Sequence, residues 1–234
     1  MKAVSLILTL VLSSAACAAE TRPVVVELFT SQGCSSCPPA DRLLAELAQR
    51  KDIVALGFHI TYWDGAAWRD PFSRQASTDR QLAYDRRLTG GQIYTPQMIV
   101  NGRTEFVGND PGALQRAITA PDDSQADPIT LEVSRDNVAH ISVTNAPHGS
   151  HVFLAITESN LTTSVRAGEN KNRELHHAGV VRQLRDLGKT DNTFSAKVAL
   201  KFDPTWNRQN IRVIAFAQQG EAGPIHGAAS APLP

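Results

Sequence analysis

Residues 24–30 read VVVELFT, β-branched and apolar at nearly every position, the pattern of a buried strand. A short turn, Ser31-Gln32-Gly33, separates it from Cys34-Ser35-Ser36-Cys37-Pro38-Pro39. From Ala40 to Arg50 the apolar positions Leu43, Leu44 and Leu47 recur at helical spacing with charges opposite them. Proline is tolerated in a first helical turn, where the missing N–H had no partner, so the Cys-Pro run opens this helix. Residues 53–60 (IVALGFHI) predict a second buried strand, and the polar run 73–88, with Ala76, Leu82, Ala83 and Leu88, a second helix. Tyr94-Thr95-Pro96 leads into a strand at 97–100. Asn101-Gly102 is a strong hairpin signal, so 104–107 pairs back, and Asn109-Asp110-Pro111 starts a helix running to Ala120.

The resulting order, β-α-β-α-β-β-α, is the layout of a thioredoxin-like domain over residues 22–120: the first two strands need a crossover helix and the last two form a hairpin. Residues 121–128, polar with two prolines, predict a linker. Beyond it, 129–133, 138–143, 152–157, 194–200 and 211–217 run apolar or alternate at strand length, punctuated by Asn and Gly. Residues 129–234 therefore predict a smaller β-sandwich-like domain, and the fold class is α/β plus all-β. The polar stretch from Glu158 to Gly179 is long for a connection, and such loops are functional or disordered.

The N-terminus changes how the cysteines are counted. Met1-Lys2, an apolar run over 3–12 and small residues over 13–19 have the three regions of a secretory signal peptide, residues 1–19, cut after Ala18 or Ala19. Cys17 leaves with it; acylation of Cys17 is the alternative, against which Ser14 stands. The expected location is periplasmic or secreted, where disulfides persist. The apolar run is shorter than the roughly 20 residues a membrane span needs, and no later run supplies one. Of three cysteines in 234 residues, Cys34 and Cys37 then remain. Lys and Arg number 23, as do Asp and Glu, so no global field draws nucleic acid or anionic lipid. Nucleic acid and a membrane span are not expected among its partners.

Two cysteines spaced Cys-x-x-Cys at a helix start point to thiol–disulfide exchange. The positive end of the helix stabilises a thiolate. Cys34 is expected as the exposed nucleophile and Cys37, deeper, as the resolving thiol. Thr95-Pro96, entering the strand that faces this motif, is placed to be a cis-proline whose preceding residue pairs with an extended substrate. Glu27, buried in the first strand, is a candidate to take a proton from Cys37. Tyr62, Trp63 and Trp68, with His59 and Asp64, sit at the carboxyl end of the second strand and could wall a substrate groove. Each has a plainer reading: an inert disulfide, a trans-proline, an outward-facing Glu27, self-burying aromatics and a structural His59. Cys34 and Cys37 with His59 or Met98 could instead hold Cu(I), and a redox-inactive scaffold is a further reading. A four-thiolate zinc site lacks its second cysteine pair, and no metal or other cofactor is assigned. Arg166, Glu169, Arg173, His176 and His177 decorate the long loop, which is either solvated or a lid over Cys34 formed by residues 166–177.

The runs VVVELFTSQGCSSCPPAD, FHITYWD, WRDPFS, YTPQMIVNG and GENKNRELHH together resemble a bacterial family of exported, thioredoxin-like proteins named only as domain of unknown function 1223. The resemblance covers nearly the whole chain after the signal peptide. It implies a thioredoxin-like domain with an appended β domain and carries over Cys34, Cys37 and Pro96 as site positions. Compared with thioredoxin, Pro38 replaces the usual Lys after the second cysteine. The expected partner is a protein or small-molecule thiol or disulfide; neither the direction of electron flow nor the oligomeric state is legible.

Overall fold

The structure, a computed structural model, describes residues 22–121 and 128–234. The signal peptide read at 1–19, with Cys17, and positions 122–127 of the linker lie outside the described residues. The N-terminal half contains β1 (Val24–Thr30), α1 (Pro38–Leu47), β2 (Ile53–His59), α2 (Gln75–Leu88), β3 (Gln97–Val100), β4 (Thr104–Val107) and α3 (Pro111–Thr119). The C-terminal half is built of β5 (Ile129–Val133), β6 (Val138–Val143), β7 (Ser150–Glu158), β8 (Leu161–Ser164), β9 (Glu174–His177), β10 (Val180–Thr190), β11 (Phe194–Ala199), β12 (Ile211–Gln219) and β13 (Ile225–Pro232). The class is mixed α/β, with few helices and one large central sheet.

That sheet has eight strands in the order β13-β12-β7-β10-β2-β1-β3-β4. β1 runs parallel to β2 and antiparallel to β3, and β4 closes one edge as a hairpin with β3. The division drawn at 121–128 is not a division of the sheet, because β10 joins β2 in parallel at Val180 and Gly57. The physical reason lies in β2, which is buried at every position. Left as an edge it would expose a row of unpaired backbone groups on an apolar strand. The seam is narrow: the Gly57 amide donates to the Gly179 carbonyl at 2.7 Å.

The core follows the alternation of the strands. Val26 and Leu28 face α1 and α3 and pack with Leu44, Met98 and Leu114. Val25 and Phe29 point to the opposite face, where Phe58 and Tyr84 meet Phe153 and Phe216 from the C-terminal half. Phe153 and Phe216 stack at 5.1 Å between ring centroids, so this core is continuous across both halves. Each such fully buried apolar side chain stabilises the fold by roughly 1.5–3 kcal/mol. On the other side of β7 and β12, Leu154, Ile156 and Val213 pack against Ile141 and Val143 of a three-stranded sheet, β11-β6-β5. The two-layer packing expected for this half is present, but its larger layer belongs to the shared sheet. Residues 158–179 are not a bare loop: they contain the separate hairpin β8–β9. Among the described residues no helix is long and apolar enough to cross a membrane.

Candidate functional site

β1 ends at Thr30, and the next seven residues place two sulfurs at the mouth of α1. Ser31 Oγ accepts the Gly33 amide at 3.0 Å, and the Ser31 carbonyl accepts the Cys34 amide at 3.2 Å. Gly33 fits closely there: a Cβ would stand 3.0 Å from Cβ of Trp63 and 3.1 Å from its carbonyl oxygen, so the neighbour would have to give way. Cys34 and Cys37 are joined as a disulfide with their Cα atoms 5.5 Å apart. Cys37 caps the helix, its carbonyl accepting the Ala40 and Asp41 amides at 2.9 and 3.1 Å. Pro38 and Pro39 fill the first two helical positions, so two of the N–H groups that would face a thiolate are missing. A nearer donor takes their place: Ser36 Oγ lies 3.2 Å from Cys34 Sγ.

Opposite the disulfide, the Thr95–Pro96 peptide is cis. The Thr95 carbonyl lies 3.8 Å from Cys34 Sγ and 3.5 Å from Ser36 Oγ. Trp63 Nε1 donates to Thr95 Oγ1 at 2.8 Å, tying the aromatic loop to the proline turn. Tyr62 and Trp63 are 42% and 37% exposed, and with Val107 they are the exposed large apolar side chains among the described residues. Trp68 is half-buried and packs instead beside Gly168, whose Cβ would meet that of Trp68 at 3.7 Å. The Thr95–Pro96 turn thus lies beside Cys34 with Trp63 bonded to it and Tyr62 in contact with Thr95, while Trp68 lies beside Gly168.

Two expectations are corrected. Cys34 is 1% exposed, not an open nucleophile; only Ser35 and Ser36 of the motif reach the surface. Glu27 does not reach toward Cys37, because alternation along β1 sends it to the face opposite α1. There it is fully buried, its Oε1 accepting Arg80 Nε at 2.6 Å and its Oε2 accepting the Tyr84 hydroxyl. Arg80 also donates to Gln218 Oε1 at 3.0 Å and lies over the rings of Phe58, Tyr84, Phe153 and Phe216. The Glu27 carboxylate is committed to this network. Burial, with the Glu27 carboxylate beside it, holds the Tyr84 hydroxyl far above its ordinary value, against the opposing pull of the Arg80 guanidinium.

The segment between β8 and β9 is fastened to the turn that carries Cys34. Asn170, fully buried, donates through Nδ2 to the Gln32 carbonyl at 3.0 Å and the Cys34 carbonyl at 2.8 Å. Glu169 Oε2 accepts the Ser35 amide at 2.9 Å, and that bond holds its carboxyl below the ordinary range. Gln32 Nε2 donates to Thr163 Oγ1 at 3.0 Å and lies 3.2 Å from His177 Nε2. Arg166 and His176 point outward, His177 inward. Behind this contact Asp70 Oδ2 accepts the Gln32 amide and faces His59 Nδ1. The His59 and His177 rings meet edge to face at 4.8 Å, and His177 Nδ1 is 3.9 Å from Asp41 Oδ2. Gln32, Asp41, Asp70 and Asn170 were not legible as site residues; each is a lone polar residue whose neighbours come from distant segments.

For the metal alternative, His59 is taken by Asp70 and Met98 is buried in the core beneath α1. Among the described residues no group of three or more His, Cys, Asp or Glu is arranged to hold a metal ion.

The fold has counterparts among solved structures. A crystal structure of protein AGR_C_4864 from Agrobacterium tumefaciens is similar with a TM-score of 0.74 and 28% identity, covering 91% of this chain and 95% of that one. HBP35 of Porphyromonas gingivalis shares the fold alone, with a TM-score of 0.64, 17% identity, and coverage of 91% and 76%. No curated protein matches. Residues 25–218 match the family described as protein of unknown function (DUF1223), and the chain belongs to that family.

Proposed function

We propose that this chain is an exported thiol–disulfide oxidoreductase whose redox couple is Cys34–Cys37, carried on a thioredoxin-like unit spanning residues 22–120. The observation that carries this reading is the disulfide at the mouth of α1 with the cis Thr95–Pro96 turn across from it, the Thr95 carbonyl 3.8 Å from Cys34 Sγ. The sheet order β2-β1-β3-β4, with one parallel and two antiparallel pairings, supports the thioredoxin-like assignment. The signal peptide read at 1–19 supports an oxidising compartment.

In this reading an incoming thiolate attacks Cys34 and Cys37 leaves, which oxidises the partner; in the reverse sequence the Cys34 thiolate attacks a partner disulfide, Cys37 resolves the mixed disulfide, and the partner is reduced. The helix dipole and the Ser36 hydroxyl favour the anionic sulfur, offsetting the donors lost to Pro38 and Pro39. Thr95 and the half-exposed Tyr62 and Trp63 hold the group attached to the attacking sulfur. Glu27 has no part in proton transfer.

The test is exchange activity of single-cysteine variants. Cys34→Ser abolishes turnover and Cys37→Ser accumulates a mixed disulfide on Cys34 that is visible by mass. Full activity in Cys34→Ser, or no mixed disulfide in Cys37→Ser, overturns the reading.

A further inference from the structure

We infer that the segment joining β8 to β9 selects the partner of this site, admitting low-molecular-weight thiols and excluding cysteines on folded proteins. This inference rests on the thiol–disulfide reading above.

The geometry is that of a strap. Glu169 and Asn170 together accept or donate three hydrogen bonds across the 32–35 turn, and Thr163 makes a fourth to Gln32. Asn170 is fully buried in doing so, and Arg173 Nη1 braces its Oδ1 at 3.0 Å. The turn that brings these two residues down is set by Gly168 and Asn172, both in the left-handed region at φ +80° and +66°. On the other side Trp63 is fastened to Thr95. Cys34 therefore lies in a slot between the strap and the aromatic loop, 1% exposed, with only the small side chains of Ser35 and Ser36 at its mouth.

Exchange requires the attacking sulfur to approach Cys34 Sγ at bonding distance. A free thiol brings a narrow chain with it and needs only a small shift of Ser36. A cysteine on a folded domain brings its own backbone and neighbours, which collide with Glu169–Asn170 on one side and Trp63 on the other. It must wait for the strap to open, so its rate carries the opening equilibrium as a factor.

The reaction balances with a small monothiol as reductant. Its thiolate attacks Cys34 Sγ, the new S–S bond forms as the Cys34–Cys37 bond breaks, and Cys37 leaves as a thiolate and takes up a proton. A second thiolate attacks the small molecule's sulfur in the mixed disulfide and releases Cys34. Two thiols each lose one electron to become a small disulfide, and the protein disulfide gains both.

The experiment measures the rate at which the oxidised chain is reduced by free cysteine and by reduced thioredoxin, a folded protein dithiol. Each rate is normalised to the same reagent's rate with an open aromatic disulfide. The wild-type chain reacts at least about tenfold faster with cysteine on this scale. Asn170→Ala raises the thioredoxin rate about thirtyfold, the factor expected when two ordinary hydrogen bonds leave an opening equilibrium, and changes the cysteine rate little. Glu169→Ala, at the surface, moves the same ratio in the same direction by less, and reads the strap even if Asn170→Ala fails to fold. Equal normalised rates in the wild type, or variants that speed both reagents alike, overturn the strap assignment while leaving the exchange reading intact. A disulfide that neither reagent reduces overturns the exchange reading itself.

Discussion

Asp70 Oδ2 lies 2.7 Å from Nδ1 of His59, with the two side chains 0% and 1% exposed, and the same oxygen accepts the Gln32 amide at 2.8 Å. One carboxylate thereby joins the end of β2 to the turn that carries Cys34. Removing a single partner of a buried pair leaves the other uncompensated, which costs about 3–5 kcal/mol. Asp70→Asn is expected to lose stability on that scale in denaturant unfolding and to loosen the 31–34 turn.

The same pair sets a pH window. Burial pushes the His59 pKa down, but the Asp70 carboxylate, aided by Asp41, outweighs it and holds the imidazole above its ordinary 6.5. Burial pushes Asp70 up, and contact with His59 with the Gln32 and Phe72 amides holds it below its ordinary 3.8. The His59 contribution is complete below pH 6.5 and is lost as pH rises through its raised folded value. The Asp70 contribution is complete above pH 3.8 and is lost as pH falls through its depressed folded value. Thermal melts across this range should show His59→Gln flattening the alkaline decline seen in wild type. An identical decline in both proteins would contradict the assignment.

Glu27 is a structural residue. Glu27→Gln breaks its ion pair with Arg80, which stays buried among four rings, and should cost about 3–5 kcal/mol in chemical denaturation. The exchange rate per folded molecule should not change. A slowed exchange at full stability would restore the proton-transfer role.

Ser36 is the hydroxyl nearest Cys34 Sγ. A hydrogen bond to a charged group contributes about 1.5–3 kcal/mol, so Ser36→Ala should slow alkylation of the reduced Cys34 thiol at neutral pH about tenfold or more. Stability of the oxidised form should barely move. Alkylation at the wild-type rate would remove Ser36 from the chemistry.

Gly179 holds the seam between β10 and β2. Its φ is +63°, and a Cβ there would stand 2.6 Å from the Ala55 carbonyl oxygen. A left-handed non-glycine residue alone costs about 1–3 kcal/mol, and the clash with backbone adds to it. Gly179→Ala should speed hydrogen exchange of the Gly57 amide, which is bonded to the Gly179 carbonyl, more than that of amides in β1. Uniform acceleration throughout the sheet would show that the seam is not the weak point.

The elements of the N-terminal half were readable because each announces itself locally. VVVELFT and IVALGFHI are apolar without interruption, Leu43, Leu44 and Leu47 keep helical spacing, and Asn101-Gly102 turns the hairpin. Asn101 and Gly102 do adopt positive φ, 49° and 62°. The C-terminal half was less legible. β10 (VVRQLRDLGKT) mixes charges through its length, because half of it faces polar surroundings, and β13 (IHGAASAP) is built of small residues with little strand preference. β8 and β9 are four residues each, too short for alternation to stand out.

The sequence by itself determined the strands and helices around the Cys-x-x-Cys motif, the placement of that motif between a buried strand and a helix, and the family. Those depend on side-chain periodicity and turn chemistry within a dozen residues, which a linear reading contains. Only the tertiary structure decided that β10 extends the first sheet, that Glu27 faces Arg80 and not Cys37, and that Asn170 bonds the backbone of the Cys34 turn. Each of those joins residues 53 to 138 positions apart, and such pairs form by packing complementarity and satisfaction of buried polar groups, for which no local pattern codes.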